Sequence, residues 1–378
     1  MKKKIKEKEF NEVKRKKKLL FVDMYPTSLA YKLLYALKED FDITLIILQE
    51  KTNSHLTEDY NSLGIKIHYF DVNKKKKELI KFFLKLIAER MKGYDYVLGK
   101  SGPSWFSYLI FKIFNSSKKI YFPYDIFLFL WKNQNIMRPK LGIMFEKSNL
   151  KNADFIINRC EEDETKLLRK DEVKKVNGKV IQFIPCFDDW IVPINKKKTK
   201  ELSLVYLGVC PDKEIIFRIP WLDLFNRTSD LGIDQHIYPL KSVEKQEFSK
   251  IDKKNVFYHE PLPNKELNRE ISKYHYGTMI SFYDKNIIDE RFLKIAFGNK
   301  LLCYLEAGLP TIVDDETIGA EFVRKYNCGV VISEKDIPNL KKILKKQNYP
   351  ELLKGVERAR EKFRMSKNSK KIMEELNS

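Results

Sequence analysis

The sequence lacks paired cysteines and long apolar runs. Its five cysteines are scattered without Cys-x-x-Cys spacing, which argues against a zinc or disulfide framework and fits a reducing compartment. The lysine-rich start has no apolar segment, unlike a secretory signal. The most apolar stretch, 120–131, contains Asp125 and is shorter than the roughly 20 residues of a membrane-spanning helix. We therefore expect a cytoplasmic protein, either free or peripheral at the inner face of the membrane.

The sequence also lacks the motifs of several ligand classes. We expect no required divalent ion and no resident cofactor. The sequence has no zinc-ligand spacing and no recognisable RNA-binding signature, so nucleic acid is not an expected partner despite the charge. These absences leave phosphate-bearing small molecules and an anionic membrane surface as the partners to consider.

Positive charge and aromatic residues are abundant. The 378 residues carry a formal net charge of +20, with lysine runs near positions 2–4, 14–18, 74–77 and 196–198. A hydrophobic fraction of 43% with 25 Phe and 19 Tyr predicts a folded chain, and its length is enough for two domains. Each lysine near an anionic leaflet contributes roughly 1 kcal/mol, so a membrane surface is a plausible partner for this charge.

Short apolar runs alternate with helical patterns along the first half. The runs 19–23, 43–48, 65–70 and 94–98 are typical of buried parallel strands, and 29–38 is typical of a helix. A second helix, 75–92, has one apolar face, formed by Leu79, Ile80, Phe83, Leu84, Ile87 and Met91. This alternation predicts an α/β fold with a parallel sheet covered on both faces.

The most informative segment is 294–315, KIAFGNKLLCYLEAGLPTIVDD. A small-residue turn at 296–299 precedes an apolar helix, Gly308 ends that helix, and a β-branched strand follows. Gly298 allows the backbone to approach an anion, and the helix dipole stabilises a phosphate at this end. The pattern is also that of any βαβ unit, so it does not identify a function by itself.

The order of residues in that segment resembles the "K-L-x-E-Y-x-A-x-G-x-P-V-V" segment of GT-B fold glycosyltransferases. FEKSNLKNADFIINRC at 145–160, LSLVYLG at 202–208 and VFYHEPLP at 256–263 resemble other segments of that family. The resemblance implies two Rossmann-like, doubly wound parallel-sheet domains facing each other across a cleft. The expected parts are a basic leader (1–18), an acceptor domain (19–186), a linker (187–201), a donor domain (202–360) and a terminal helix (361–378) that returns to the first domain.

The resemblance also implies a site for a nucleotide-diphosphate sugar. The expected donor-binding residues are Gly208, Lys213, Phe297, Gly298, Asn299, Lys300 and Glu306. Val209 replaces the family's arginine after Gly208, which leaves Lys213 as the cation. Ile295 and Cys303 occupy the positions of two glutamates in the retaining branch, so both acids are missing. Glu306, one helical turn after Cys303, is the candidate for the ribose contact.

The resemblance leaves the mechanism open. Asp125, in a loop where the family often has His-Asp, is the candidate general base of an inverting transfer, with His55 as the second choice. The expected function is a hexosyltransferase-like enzyme acting on a glycan or lipid-linked acceptor of cell-surface polysaccharide or glycoconjugate biosynthesis. The alternatives are a catalytically silent binding or scaffold subunit, a nucleic-acid binder suggested by charge alone, and a sugar-nucleotide epimerase, for which no matching acid and histidine set is apparent.

Overall fold

The computed structural model describes residues 15–48, 55–72, 76–102, 104–123, 140–159, 161, 176–194, 199–208, 216–239, 254–295 and 297–378. Strands and helices alternate through the first half of the chain. They are β1 (Lys17–Asp23), α1 (Ser28–Leu37), β2 (Phe41–Ile47), α2 (His55–Ser62), β3 (Lys66–Tyr69), α3 (Lys76–Met91), β4 (Tyr96–Lys100), α4 (Ser104–Ile113), β5 (Lys118–Phe122), α5 (Lys140–Asn152), β6 (Phe155–Asn158) and β7 (Lys179–Gln182).

The second half repeats this alternation and ends in helices. Its strands are β8 (Ser203–Leu207), β9 (Asp234–Tyr238), β10 (Val256–Tyr258), β11 (Tyr276–Met279), β12 (Thr311–Asp314) and β13 (Gly329–Ile332). Its helices are α6 (Trp221–Asp230), α7 (Asn264–Ile271), α8 (Glu290–Leu293), α9 (Asn299–Glu306), α10 (Ile318–Tyr326), α11 (Leu340–Lys345), α12 (Tyr349–Lys362) and α13 (Met365–Asn377). Short 3-10 helices lie at Asp188–Trp190 and Glu334–Asn339.

The strands form two parallel sheets. The first has seven strands in the order β3-β2-β1-β4-β5-β6-β7, and the second has six in the order β10-β9-β8-β11-β12-β13. In each sheet the order reverses beside the first strand of the domain, and such switch points place ligands at the carboxyl ends of the strands. The predicted fold class, two Rossmann-like parallel-sheet domains, is confirmed.

Alternating side chains of β1 explain why the first sheet is covered on both faces. Leu19 and Phe21 lie in one apolar core with α1, whereas Leu20 and Val22 lie in another with α3, α4 and α5. Thr27 begins α1 because its hydroxyl accepts a hydrogen bond from the amide of Ala30. The first sheet is thus anchored between two helix layers, with its carboxyl edge left to loops.

Helix α3 forms where the sequence predicts a helix, but most of its apolar face lies in solvent. The helix is held to the sheet by Phe82 and Leu86, which are buried in the second core. The six apolar residues of the face predicted from the sequence are exposed; they are Leu79, Ile80, Phe83, Leu84, Ile87 and Met91.

The two domains contact each other through two crossing segments. Helix α13 packs on α1, and the Tyr96 hydroxyl donates to the carbonyl of Leu376 at 2.9 Å. In the other direction, Ile288 and Phe292, before and within α8, are buried in the core beneath α3 and α4. These contacts bring the carboxyl edges of the two sheets toward one junction.

Candidate functional site

The turn before α9 lies at the junction of the domains. Gly298 is the N-cap of α9, with φ −72° and ψ 129°. A Cβ at this position would lie 2.5 Å from the sulfur of Met279 at the carboxyl end of β11, so only glycine fits without a shift. Phe297 anchors the turn in the core of the second domain, while Gly298, Asn299 and Lys300 are partly exposed. The first amides of α9 and its dipole therefore point out of the core toward the junction.

Gly208 and Lys300 meet beside this turn. Gly208 follows β8 and has φ +106°, a conformation that favours glycine. The Cε atom of Lys300 lies 3.3 Å from the position that a Cβ on Gly208 would take. The Lys300 ammonium donates to the Tyr206 hydroxyl at 2.7 Å and lies 4.0 Å from the centre of that ring and 4.9 Å from that of Trp221. Gly208 and the start of α9, both predicted to bind the donor, thus lie side by side. The Lys300 ammonium is oriented by the two aromatic rings.

A second cation reaches the turn from the other domain. Arg159 directly follows β6, and its Nη1 lies 3.5 Å from the side-chain oxygen of Asn299. This buried arginine was not identified from the sequence. The sequence feature that could have identified Arg159 is its place directly after a buried strand. In this class of fold, ligands bind at the edge of the sheet where such strands end.

The opposite wall of the junction contains a buried ion pair that the sequence also did not reveal. Asp23 ends β1 and Lys100 ends β4, and the lysine ammonium lies 2.9 and 3.0 Å from the two carboxylate oxygens. Burial raises the pKa of Asp23, although the charge of Lys100 opposes that shift. The ring of Tyr25, which is half-exposed, lies 4.8 Å from the same ammonium. The pair is a polar feature at the carboxyl edge of the first sheet.

Glu306 has three protein partners at the junction. Its carboxylate, 0% exposed, accepts from the ammonium of Lys32, from the amide of Phe187 at 2.7 Å and from the amide group of Asn268 at 3.3 Å. Lys32 comes from α1 of the first domain and also donates to the carbonyl of Pro185 at 3.3 Å. The structure thus gives Glu306 a role in joining the domains, and its predicted ribose contact stays a prediction.

The positions of the two missing glutamates are apolar in character. Ile295 is buried in the core that it shares with residues of the first domain. Burial raises the pKa of the Cys303 thiol to about 11, so it is neutral at physiological pH. Neither side chain can accept hydrogen bonds as a carboxylate does.

Three predicted residues cannot be located in the site. Asp125 and Lys213 lie outside the described residues, and so does the side chain of His55, although its backbone begins α2. Their catalytic and phosphate-binding roles stay predictions.

Comparison with known proteins identifies the architecture. Residues 227–376 match the family described as glucosyltransferase 3-like, C-terminal domain. A sequence search found no match among curated proteins. Sucrose-phosphate synthase from Thermosynechococcus elongatus superimposes with a TM-score of 0.69 at 13% identity, covering 96% of this chain and 98% of that one.

Two further solved structures have the same fold over nearly the whole chain. Anabaena HepE in complex with UDP-glucose gives a TM-score of 0.66 at 11% identity, covering 95% of this chain and 99% of that one. The pneumococcal O-GlcNAc transferase GtfA in complex with UDP and GlcNAc gives a TM-score of 0.65 at 8% identity, covering 96% of this chain and 99% of that one. The structural matches show that the chain has the GT-B fold, and residues 227–376 are similar to the C-terminal domain of the glucosyltransferase 3-like family, in agreement with the resemblance seen in the sequence.

Proposed function

We propose that the protein transfers a sugar from a nucleotide-diphosphate sugar whose diphosphate binds at the start of α9. The observation that carries this proposal is the convergence of four groups at the domain junction: the turn at Gly298, the backbone at Gly208, and the cations of Lys300 and Arg159. The leaving nucleotide diphosphate gains negative charge during transfer. Fixed cations and a helix N-terminus stabilise that charge without reorganising.

The finer assignment is transfer of a hexose to a glycan or lipid-linked acceptor of cell-surface polysaccharide or glycoconjugate biosynthesis. UDP-glucose, and UDP with GlcNAc, are bound by two structural relatives, which favours a UDP-hexose as donor. The acceptor would lie against the carboxyl edge of the first sheet, near Asp23 and Lys100. Asp125 remains the proposed general base and His55 the second choice, with Lys213 as a further phosphate ligand.

Binding of UDP to purified variants tests the donor site directly. Lys300→Ala and Arg159→Ala each remove a cation from the junction, and hydrogen bonds to charged groups contribute roughly 1.5–3 kcal/mol. Each variant should therefore bind UDP about 10 to 100 times more weakly by isothermal titration calorimetry. Lys345→Ala is the matched control. Its neighbour Leu344 accepts from Tyr276 at the amino end of β11, on the far edge of the sheet. Unchanged affinity in both junction variants would refute the site.

A catalytically silent binding protein is the second candidate. The buried Ile295 and the neutral thiol of Cys303 favour it, because both replace acids that contact the donor in the retaining branch. The two candidates differ in turnover. Release of UDP from UDP-glucose, followed with and without candidate acceptor glycans, supports the transferase. Tight UDP binding without release under any of these conditions supports the binding protein.

A further inference from the structure

Helix α3 presents an apolar stripe that no described part of the chain covers. Ile80, Leu84, Ile87 and Met91 recur every three or four residues and so lie on one side of the helix. Their exposed fractions are 61%, 61%, 58% and 80%. Single exposed apolar residues are common on soluble proteins, but a continuous stripe of this kind marks an interaction surface.

The stripe belongs to a larger apolar region on one helix layer. Helices α3, α4 and α5 cover the same face of the first sheet, because all three contribute to the core beneath it. Among the residues that the structure describes, the exposed large apolar side chains lie on these three helices, apart from Tyr25 and Phe257. Beyond the stripe they include Leu79, Phe83, Trp105, Leu141 and Met144. The exposed apolar surface is therefore concentrated on one side of the acceptor domain.

Positively charged residues of α3 lie beside the stripe, and its acidic residues lie on the opposite side of the helix. The helix has five cations and two acids, a net charge of +3. At 100° per residue, Lys77 and Lys81 flank the stripe on one side and Arg90 flanks it on the other. Glu78 and Glu89 lie on the opposite side, where Glu89 is fully buried and pairs with Lys85 and Lys92. The side that faces outward is thus apolar in the middle and positive at both margins.

We propose that this face of α3 docks the protein on an anionic lipid surface. Apolar side chains would enter the boundary between head groups and acyl chains, and flanking cations would reach lipid phosphates along their flexible stems. No helix in the described ranges has both the length and the apolarity needed to span a bilayer. Docking through α3 is therefore attachment to one leaflet.

Charge disfavours a second copy of the chain as the occupant. Two copies paired through this face would bring positively charged margins together, and like charges in contact are destabilising. An anionic bilayer complements both the apolar stripe and its margins. The charge of the whole chain, +20, acts in the same direction.

Vesicle flotation with the full chain tests the proposal. Vesicles contain either equal parts of phosphatidylcholine and phosphatidylglycerol or phosphatidylcholine alone. The unmodified protein should float with the anionic vesicles and much less with the neutral ones. A variant with Ile80→Ser, Leu84→Ser, Ile87→Ser and Met91→Ser should lose flotation while keeping its circular dichroism and UDP binding, since these side chains are exposed. Phe257→Ser changes an exposed apolar residue of the other domain and should float normally.

A charge variant gives a second, independent readout. Lys77→Gln with Arg90→Gln removes two exposed cations at the margins, and a loss of about 25-fold in partitioning is expected at low salt, from roughly 1 kcal/mol for each cation. Lys335→Gln with Lys345→Gln removes two exposed cations elsewhere and should have a small effect. Flotation that survives the serine substitutions, or that both charge variants weaken equally, overturns the proposal. So does a stable dimer that the serine variant makes monomeric while neither protein floats. Transfer to a soluble acceptor is unaffected in either case, so the proposed function is tested separately.

Discussion

The buried pair of Lys32 and Glu306 allows a quantitative test of how the two domains are held together. Lys32 is 3% exposed and Glu306 is 0% exposed, and they come from α1 of the first domain and α9 of the second. Burial alone would lower the pKa of Lys32, but the charge and hydrogen bond of Glu306 together with the nearby Cys303 and Cys186 outweigh burial, so the pKa is raised. Lys32 is therefore a buried cation, and Glu306 is the acid that faces it.

Removing one member leaves a buried charge without its counter-ion. Lys32→Met keeps the length of the side chain, and Glu306→Gln keeps its shape and can still accept from the amide of Phe187. Each single change should reduce the free energy of unfolding by about 3–5 kcal/mol, the usual cost of breaking a buried ion pair. The double variant has neither charge, so its loss should fall short of the sum of the single losses by about 3 kcal/mol.

Urea unfolding followed by tryptophan fluorescence and by circular dichroism measures these free energies. Trp190 is a suitable reporter because its ring lies 5.1 Å from the Lys32 ammonium. Coincidence of the two probes checks that one transition is being measured, which a two-domain protein must be shown to satisfy. Lys179→Met is the control. Its partner Glu375 also joins distant segments, at 2.6 Å, but the pair is exposed and should contribute less than about 1 kcal/mol. A loss below about 1 kcal/mol for Glu306→Gln, or additive losses in the double variant, would refute the reasoning.

Three further predictions concern the turn and two buried titratable groups. Gly298→Ala places a Cβ 2.5 Å from the Met279 sulfur, so the turn or the Met279 side chain must shift, and UDP binding should weaken by calorimetry; an unchanged affinity would contradict the predicted close fit. Burial lowers the pKa of His236 to about 3, whereas the pKa of a histidine in the unfolded chain is near 6.5. The unfolded chain therefore binds a proton first as the pH falls, and the stability present above about pH 6.5 is lost below it. His236→Phe should therefore reduce the fall in melting temperature between pH 7 and pH 5. Burial raises the pKa of Asp314 from 3.8 to about 6, so its contribution is complete below about pH 4 and is lost as the pH rises through 6. The difference in unfolding free energy between the parent and Asp314→Asn should shrink by up to about 3 kcal/mol across that range.

The class of fold and many of its strands and helices could be predicted from the residues alone. Apolar runs such as 19–23 form buried strands because a strand between two helix layers must be apolar on both faces. Gly298 and the helix after it could be recognised as a possible anion site because close backbone approach and a helix N-terminus depend on local chain geometry. The missing acids at Ile295 and Cys303 were also visible, since they depend only on a comparison of residue types.

Which distant residues share the junction could be seen only in the folded chain. Arg159 and Asn299 are 140 positions apart, and Lys32 and Glu306 are 274 apart. No local period or spacing relates such pairs, because their proximity follows from how two separate sheets face each other. For the same reason, the sequence did not show that the apolar stripe of α3 faces solvent. A helical period shows that an apolar stripe exists, but whether the stripe faces the core or the solvent depends on which side the rest of the fold covers.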